Sequence, residues 1–334
     1  AAAEQVREGG VRRVLLRGAG GLGKTRLLEE FEARVRLRGV RVVRVRCLEG
    51  MRDVPLSALA DVVAALADLP GALGVSERAA TTLAAAFPHL SGVYPAVRNA
   101  EPSAAPDLLA IRWAYAELLS TVSERRLLVL LLDDIHLADE SSRSVLAAAR
   151  RADGVRLVEV WAARPVLAAE PSDADASLQL APLSDADIRA LFTAVAPFGD
   201  AALEAVVLRR LSETARGVPQ LVIAAIRSAV GAGLLRHGDS GWETDDPAAL
   251  DVHLVRAVSP TAALESASGA AGRVLSVLAL WNRPIAERDL VGVAALLPDP
   301  VTEPDVRTAL GELEARGLVR ALDVSWSLAH DSIR

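Results

Sequence analysis

Residues 18–25 read Gly18-Ala19-Gly20-Gly21-Leu22-Gly23-Lys24-Thr25, and this octapeptide decides how the rest of the chain is read. It fits the pattern GxxxxGK[ST], and its setting is the one the pattern requires. The apolar run VRRVLLR (11–17) leads into it, and residues 24–38 follow with helical spacing through Leu27, Leu28, Phe31 and Val35. A strand, a glycine turn and a helix start in that order let consecutive backbone N–H groups point inward at phosphate oxygens, and the helix adds the positive end of its dipole. Lys24 would neutralise β- and γ-phosphate charge, and Thr25 would offer its hydroxyl to Mg2+. The candidate phosphate-binding residues are therefore Gly18, Gly20, Gly21, Leu22, Gly23, Lys24, Thr25 and Arg26.

Composition supports this reading. Among 37 basic residues Lys24 is the only lysine. A compact ammonium is thus kept at the place where a phosphate cradle needs a point charge, which a planar guanidinium would not fit. The 334 residues are 51% hydrophobic and 24% charged, with net charge −6 and a pI near 5.5, a globular balance rather than a surface built for nucleic-acid phosphates. The single cysteine, Cys47, excludes an internal disulfide and a multi-cysteine metal site. No run of about 18 uncharged apolar residues marks a membrane span. Residues 1–10 carry Glu4, Arg7 and Glu8 where a signal peptide needs an apolar core. The expectation is a cytoplasmic protein with no membrane partner.

Outward from the cradle, residues 40–47 alternate as a strand near a sheet edge, and 57–69, 76–87 and 106–124 read as helices inserted before the next strand, with a loop across 91–105. Residues 127–132, LLVLLL, have the unbroken apolar character of a central parallel strand, and they end in Asp133-Asp134. The carboxyl ends of parallel strands face the crevice beside the cradle, so Asp133 is the candidate to hold Mg2+ through water, together with Thr25. Asp134 stands where a catalytic carboxylate would activate water; its side chain is short for that task, and an acid opening the next helix is the alternative reading. A strand over 155–163 ends at Arg164, which is either a stabiliser of γ-phosphate charge or an ordinary strand-end arginine. His136 and Asp139 read as parts of a hydrogen-bonded loop. A weaker strand spans 177–183.

Strands separated by helices predict an α/β fold with a doubly wound parallel P-loop NTPase sheet over residues 1–183. Helices at 184–196, 200–216 and 220–230, the first capped by Ser184 with Asp187 three residues on, and a hairpin around Gly238-Asp239-Ser240-Gly241 predict a helical lid over 184–247. Residues 248–272 read as an Ala/Ser-rich linker. Helices at 274–281, 285–295 and 303–316, then strands LVRAL and VSWSL, predict a winged-helix domain over 273–334. Gly217-Val218-Pro219 is a helix stop and start whose proline ring could pack on a flat base. His330-Asp331 is, on sequence alone, an ordinary surface pair.

Taken together, GAGGLGKTRLLEEF, LLVLLLDDIHLADESS, WAARP, ARGVPQLV and SLAHDSIR resemble the STAND class of signal-transduction ATPases, with the nearest likeness to the ATPase modules of large bacterial LuxR-type regulators. The resemblance implies a nucleotide-binding domain, lid and winged helix closed around ADP at rest, and an inducer that, with ATP, opens the protein for self-association. It aligns Lys24 and Thr25 with the Walker A residues and Asp133 and Asp134 with the Walker B pair. It aligns Arg164 with a sensor arginine, Pro219 with a proline near adenine, and His330 with a histidine that touches the β-phosphate of ADP. Asp134 and Arg164 would then be the catalytic pair, with slow hydrolysis as a reset and ATP, ADP and Mg2+ as ligands. Two departures stand out: only residues 1–10 precede the first strand, where the family carries a Gly-Arg-Glu-like motif, and the repeat sensor and DNA-binding helix-turn-helix that follow in such regulators lie outside this sequence. A piece of a larger protein is expected, with DNA contacted through a further C-terminal domain.

The alternative from another class is a DNA-binding AAA+ initiator, which also joins a P-loop module to a winged helix. Its recognition helix would be 306–316, where Arg307 and Arg316 are offset by Asp305, Glu312 and Glu314, a poor surface for phosphates. A small-molecule kinase would explain neither lid nor winged helix.

Overall fold

The computed structural model describes residues 10–48, 52–94, 106–149, 154–165, 174–257, 269–281, 284–315, 318–322 and 325–328. Two compact units divide the chain, Ala1–Ala19 with Lys24–Leu180 and Gly20–Gly23 with Ala181–Arg334.

The first unit is built on five parallel strands, β1 (Gly10–Arg17), β2 (Arg41–Arg46), β3 (Leu128–Asp133), β4 (Arg156–Ala163) and β5 (Ala176–Gln179), in the order β2-β3-β4-β1-β5. Every residue of β3 is buried, as its uninterrupted apolar sequence requires of a strand covered on both faces. β2 and β5 are the edges. The sequence suggests a strand as far as residue 183, but β5 stops at Gln179: its partner β1 ends at Arg17, whose carbonyl takes the last rung from Leu180 N at 2.7 Å, and Pro182 has no N–H to continue the ladder.

Helices cover the two faces separately. Leu16, Val42, Val129, Leu131, Val158, Val160 and Ala162 pack with Leu28 and Val35 of α1 (Lys24–Arg36). On the other face Leu15, Val43, Leu130, Leu157 and Trp161 share a core with α2 (Ser57–Ala67), α3 (Glu77–Ala86), α4 (Leu108–Ser123) and α5 (Glu140–Ala148). Within that second face lies a charged pair. Arg13 and Glu159 sit opposite each other in the β1–β4 register, both wholly buried. Arg13 bonds Glu159 at 2.8 Å, caps α5 through the Leu146 and Ala147 carbonyls at 3.3 Å, and stacks 4.3 Å from the Trp161 ring.

In the second unit α6 (Asp185–Thr193) opens with the capping box of Ser184 and Asp187. It packs with α7 (Ala201–Ala215) and α8 (Pro219–Gly231) around Phe192, Val207, Leu211 and Val222. The turn before α8 needs Gly217, which has φ +70° and whose Cβ would lie 2.3 Å from the Leu183 carbonyl oxygen. Strands β6 (Arg236–Gly238) and β7 (Gly241–Glu243) form the expected two-residue hairpin, and Trp242 buries its ring edge-on to Phe192. Residues 248–257, read from composition as linker, instead lie in α9 (Pro247–Ala257), with Leu250 and Leu254 fully buried in the same core.

A further core gathers α10 (Gly269–Trp281), α11 (Glu287–Ala294) and α12 (Glu303–Ala315). An antiparallel sheet in the order β8-β10-β9 joins them, from β8 (Ile285–Ala286), β9 (Val319–Leu322) and β10 (Ser325–Leu328). Residue 285, expected to open a helix, is a strand residue paired with Trp326. Among the described residues no helix is long and apolar enough to cross a membrane.

Candidate functional site

The glycine loop begins where β1 ends. Gly18 N donates to Ala163 O of β4 at 3.3 Å, and Gly21 and Gly23 take φ of +78° and +90°, a region in which an L side chain is strained. α1 starts at Lys24. The lysine is 94% buried, its Nζ donating to the Gly18 and Ala19 carbonyls at 2.9 and 3.0 Å. Burial lowers its pKa; Asp134 and Asp133 oppose that shift and Arg164 adds to it, so all three charges act on the ammonium.

β1 and β3 are not neighbours, since β4 lies between them. The first turn of α1 spans the gap: Thr25 Oγ1 donates to Asp133 Oδ2 at 2.8 Å. Asp133 is 2% exposed. Burial and then the charge of Asp134 push its carboxyl up, while the Thr25 hydrogen bond and Arg46 pull it down less strongly. Asp134 follows in the left-handed region, φ +53°, with its N–H on Asp133 Oδ1 at 3.1 Å. A non-glycine residue in that conformation is held by its surroundings, and here the holder is Arg46, at the carboxyl end of β2, bonding Asp134 Oδ2 through Nε and Nη2 at 3.3 Å. Sequence reasoning missed Arg46; the available signal was an arginine ending an edge strand beside the strand that carries the Asp pair.

Arg164 follows β4, and its N–H donates to His136 Nδ1 at 3.4 Å, so the short turn after Asp134 is tied to the segment after β4. Burial lowers the His136 pKa, consistent with an imidazole that accepts through Nδ1. Asp139 is structural: it caps α5 through Ser142 and accepts from Leu56 N and Ser57 Oγ. Burial raises the Asp139 pKa, and these hydrogen bonds outweigh it to leave a lowered value.

The structure therefore brings Lys24, Thr25, Asp133, Asp134 and Arg164 together within the first unit. Leu22 is buried and Gly20 exposed. Arg26 is exposed and pairs along its own helix with Glu29 and Glu30. Within the second unit Gln220 N donates to Gly21 O at 3.3 Å, and Pro219 occupies the first turn of α8 after an extended Val218. His330 lies outside the described residues.

A parallel sheet whose glycine loop and helix start meet an aspartate two strands away defines the P-loop class of α/β nucleotide-binding folds. Residues 1–161 match the family model of the AAA ATPase domain. No curated protein matches the chain. Among solved structures, the Signal Transduction ATPase with Numerous Domains (STAND) protein with a tetratricopeptide repeat sensor from Pyrococcus horikoshii is similar at a TM-score of 0.54 and 13% identity, over 99% of this chain and 40% of that one. The chain thus spans 40% of that relative's length. A Walker-type ATPase of Pyrococcus abyssi gives 0.44 at 14% identity, covering 99% and 92%. The Drosophila ORC bound to DNA gives 0.43 at 14%, covering 99% and 81%. The first likeness establishes the shared fold.

Proposed function

We propose that this chain is the adenine-nucleotide switch of a signal-transduction ATPase: residues 1–183 bind nucleotide, 184–247 act as a helical lid and 273–334 as a winged-helix domain, within a bacterial transcriptional regulator of the LuxR type. The hydrogen bond between Thr25 and Asp133 carries the reading, because it brings together a hydroxyl and a carboxylate of the kind that hold a nucleotide-bound Mg2+, directly or through water. The cradle fits a polyphosphate: its glycines hold conformations that open the loop, a single buried ammonium lies against it, and the acceptor groups are carboxylate and hydroxyl oxygens suited to a hard cation.

In this reading a magnesium nucleotide supplies the phosphoanhydride and the cation. Lys24 would hold the phosphates, Thr25 and Asp133 would hold the cation, and Arg164 would offset phosphate charge. Asp134 would orient water, and its hold on Arg46 keeps turnover slow, so hydrolysis acts as a reset. Pro219, next to Gln220, would pack on adenine, and His330 would report the β-phosphate of ADP. An inducer and ATP would then license self-association, with DNA contacted by a further domain. The initiator-like alternative needs a basic recognition helix, whereas the Arg307 guanidinium of α12 is taken up by Glu287 and Glu303 at 2.8 and 2.6 Å.

The test is to denature the purified chain and identify the nucleotide it releases. Adenine nucleotide, mainly ADP, is expected from the native chain and none from Lys24→Ala; absence of any adenine nucleotide under all conditions overturns the proposal.

A further inference from the structure

Helix α10 uses two of its faces differently. Val274, Leu275 and Leu278 pack into the core shared with α11 and α12. A second stripe, Gly269, Gly272, Arg273, Ser276, Val277 and Leu280, follows the spacing i, i+3, i+4, i+7, i+8 and i+11, and it lines a cavity of about 500 Å3. The other wall is Leu297-Pro298-Asp299, in the loop after α11. That loop is closed at its base, where Val301 N donates to Ala294 O at 3.1 Å, and its first turn is fixed by Leu296 N on Val293 O at 3.0 Å. All of these residues belong to the second unit.

Two opposite charges line this space without pairing. Arg273 Nε is buried and has no hydrogen-bond partner. The exposed Asp299 carboxylate has no ion pair among the described residues. A guanidinium N–H withdrawn from water without an acceptor is costly. A carboxylate ligand supplies that acceptor, and the planar fork of an arginine fits it through two N–H groups. The remaining large side chains of the lining are apolar: Val277 is buried, Leu297 half-buried and Leu280 87% exposed. A leucine left in water on the wall of a cavity suits an apolar ligand body.

The same groups select the class of ligand. Asp299 disfavours a phosphate or other polyanion at Arg273, and it offers an acceptor to an ammonium. A sugar needs several hydrogen-bonding groups, whereas the one side-chain hydroxyl of the lining, on Ser276, donates to its own helix at Gly272 O, 2.8 Å away. The volume lies in the range of small-molecule sites.

We propose that this cavity binds an α-amino acid with a large apolar side chain. Its carboxylate accepts from Arg273, its ammonium donates to Asp299, and its side chain lies against Val277, Leu280 and Leu297. The site is built from residues 269–299 alone and stands independently of the nucleotide reading.

The experiment is calorimetric titration of the full chain with L-phenylalanine and L-leucine, beside phenylalanine methyl ester, which lacks the carboxylate, and hydrocinnamate, which lacks the ammonium. Saturable binding of at least one of the two amino acids below about 10 mM is expected, with the ester and hydrocinnamate weaker by several-fold or more. Arg273→Met should weaken amino-acid binding about tenfold or more. Leu280→Glu, at a position outside the core, should do the same by placing a carboxylate against the apolar body. In Asp299→Asn the preference for phenylalanine over hydrocinnamate should vanish. Circular dichroism of the same samples separates unfolding from loss of the site. No saturation with either amino acid, affinity unchanged in Arg273→Met or in Leu280→Glu, an ester that binds as well as the acid, or a preference over hydrocinnamate that persists in Asp299→Asn would each overturn it.

Discussion

Thr25 and Asp133 are 108 residues apart in sequence and share a hydrogen bond of 2.8 Å. The hydroxyl comes from the first turn of α1 and the carboxylate from the last residue of β3, so the bond closes across β4, which lies between β1 and β3. Both Asp133 oxygens are then occupied, Oδ2 by Thr25 and Oδ1 by the Asp134 N–H.

This arrangement holds a carboxylate where burial opposes its charge. The Asp133 pKa is raised above its ordinary 3.8, so the folded chain binds this proton more tightly than the unfolded chain. Its cost is absent below the unfolded value, grows as pH rises toward the folded value and is complete above it. Asp133→Asn should therefore raise the melting temperature at neutral pH by about 2–4 °C for each kcal/mol relieved, and the gain should vanish at acid pH. Calorimetry at two pH values measures both.

The same carboxylate is expected to serve the cation. Thr25→Ala should lower Mg2+-dependent nucleotide affinity roughly 10- to 100-fold and leave affinity in excess chelator nearly unchanged. Titration of a fluorescent ADP analogue with and without Mg2+ distinguishes the two. Equal loss in both conditions would assign Thr25 to the loop's structure instead.

Arg46 sets the Asp134 carboxylate. Removing it in Arg46→Ala leaves a left-handed Asp134 without its partner, free to turn toward the loop. Phosphate release should rise several-fold, on the order of 1 kcal/mol of barrier; a rate equal to or below that of the native chain would show that the ion pair does not restrain turnover.

Arg13 and Glu159 test a different property. Losing one member strands a fully buried charge, so Arg13→Met or Glu159→Met alone should cost about 3–5 kcal/mol. The double change to methionine should cost much less, because no charge remains buried. Denaturant unfolding of the two singles and the double gives the coupling directly.

Several elements of both units were legible in the sequence because their signals are local. The octapeptide 18–25 specifies its own turn, LLVLLL declares a strand buried on both faces, and Ser184 with Asp187 writes a helix start in four residues. Elsewhere composition misled. An alanine-rich stretch became α9 because Leu250 and Leu254 found a core between α7 and α8, and the two residues of β8 became a strand because Trp326 lay beside them. VRRVLLR reads as a plain apolar strand, yet Arg13 is buried in it, since Glu159, Trp161 and two helix carbonyls surround it.

The sequence by itself determined that a glycine turn of the GxxxxGK[ST] pattern exists between a strand and a helix, and that an apolar strand ends in two acids, because each depends on neighbours within a few residues. Only the tertiary structure decided the grip of Arg46 on Asp134, the link between His136 and Arg164, and the burial of Arg13. Each of these depends on strand order and register, which bring side chains from distant parts of the chain into an interior where an unpaired charge is costly.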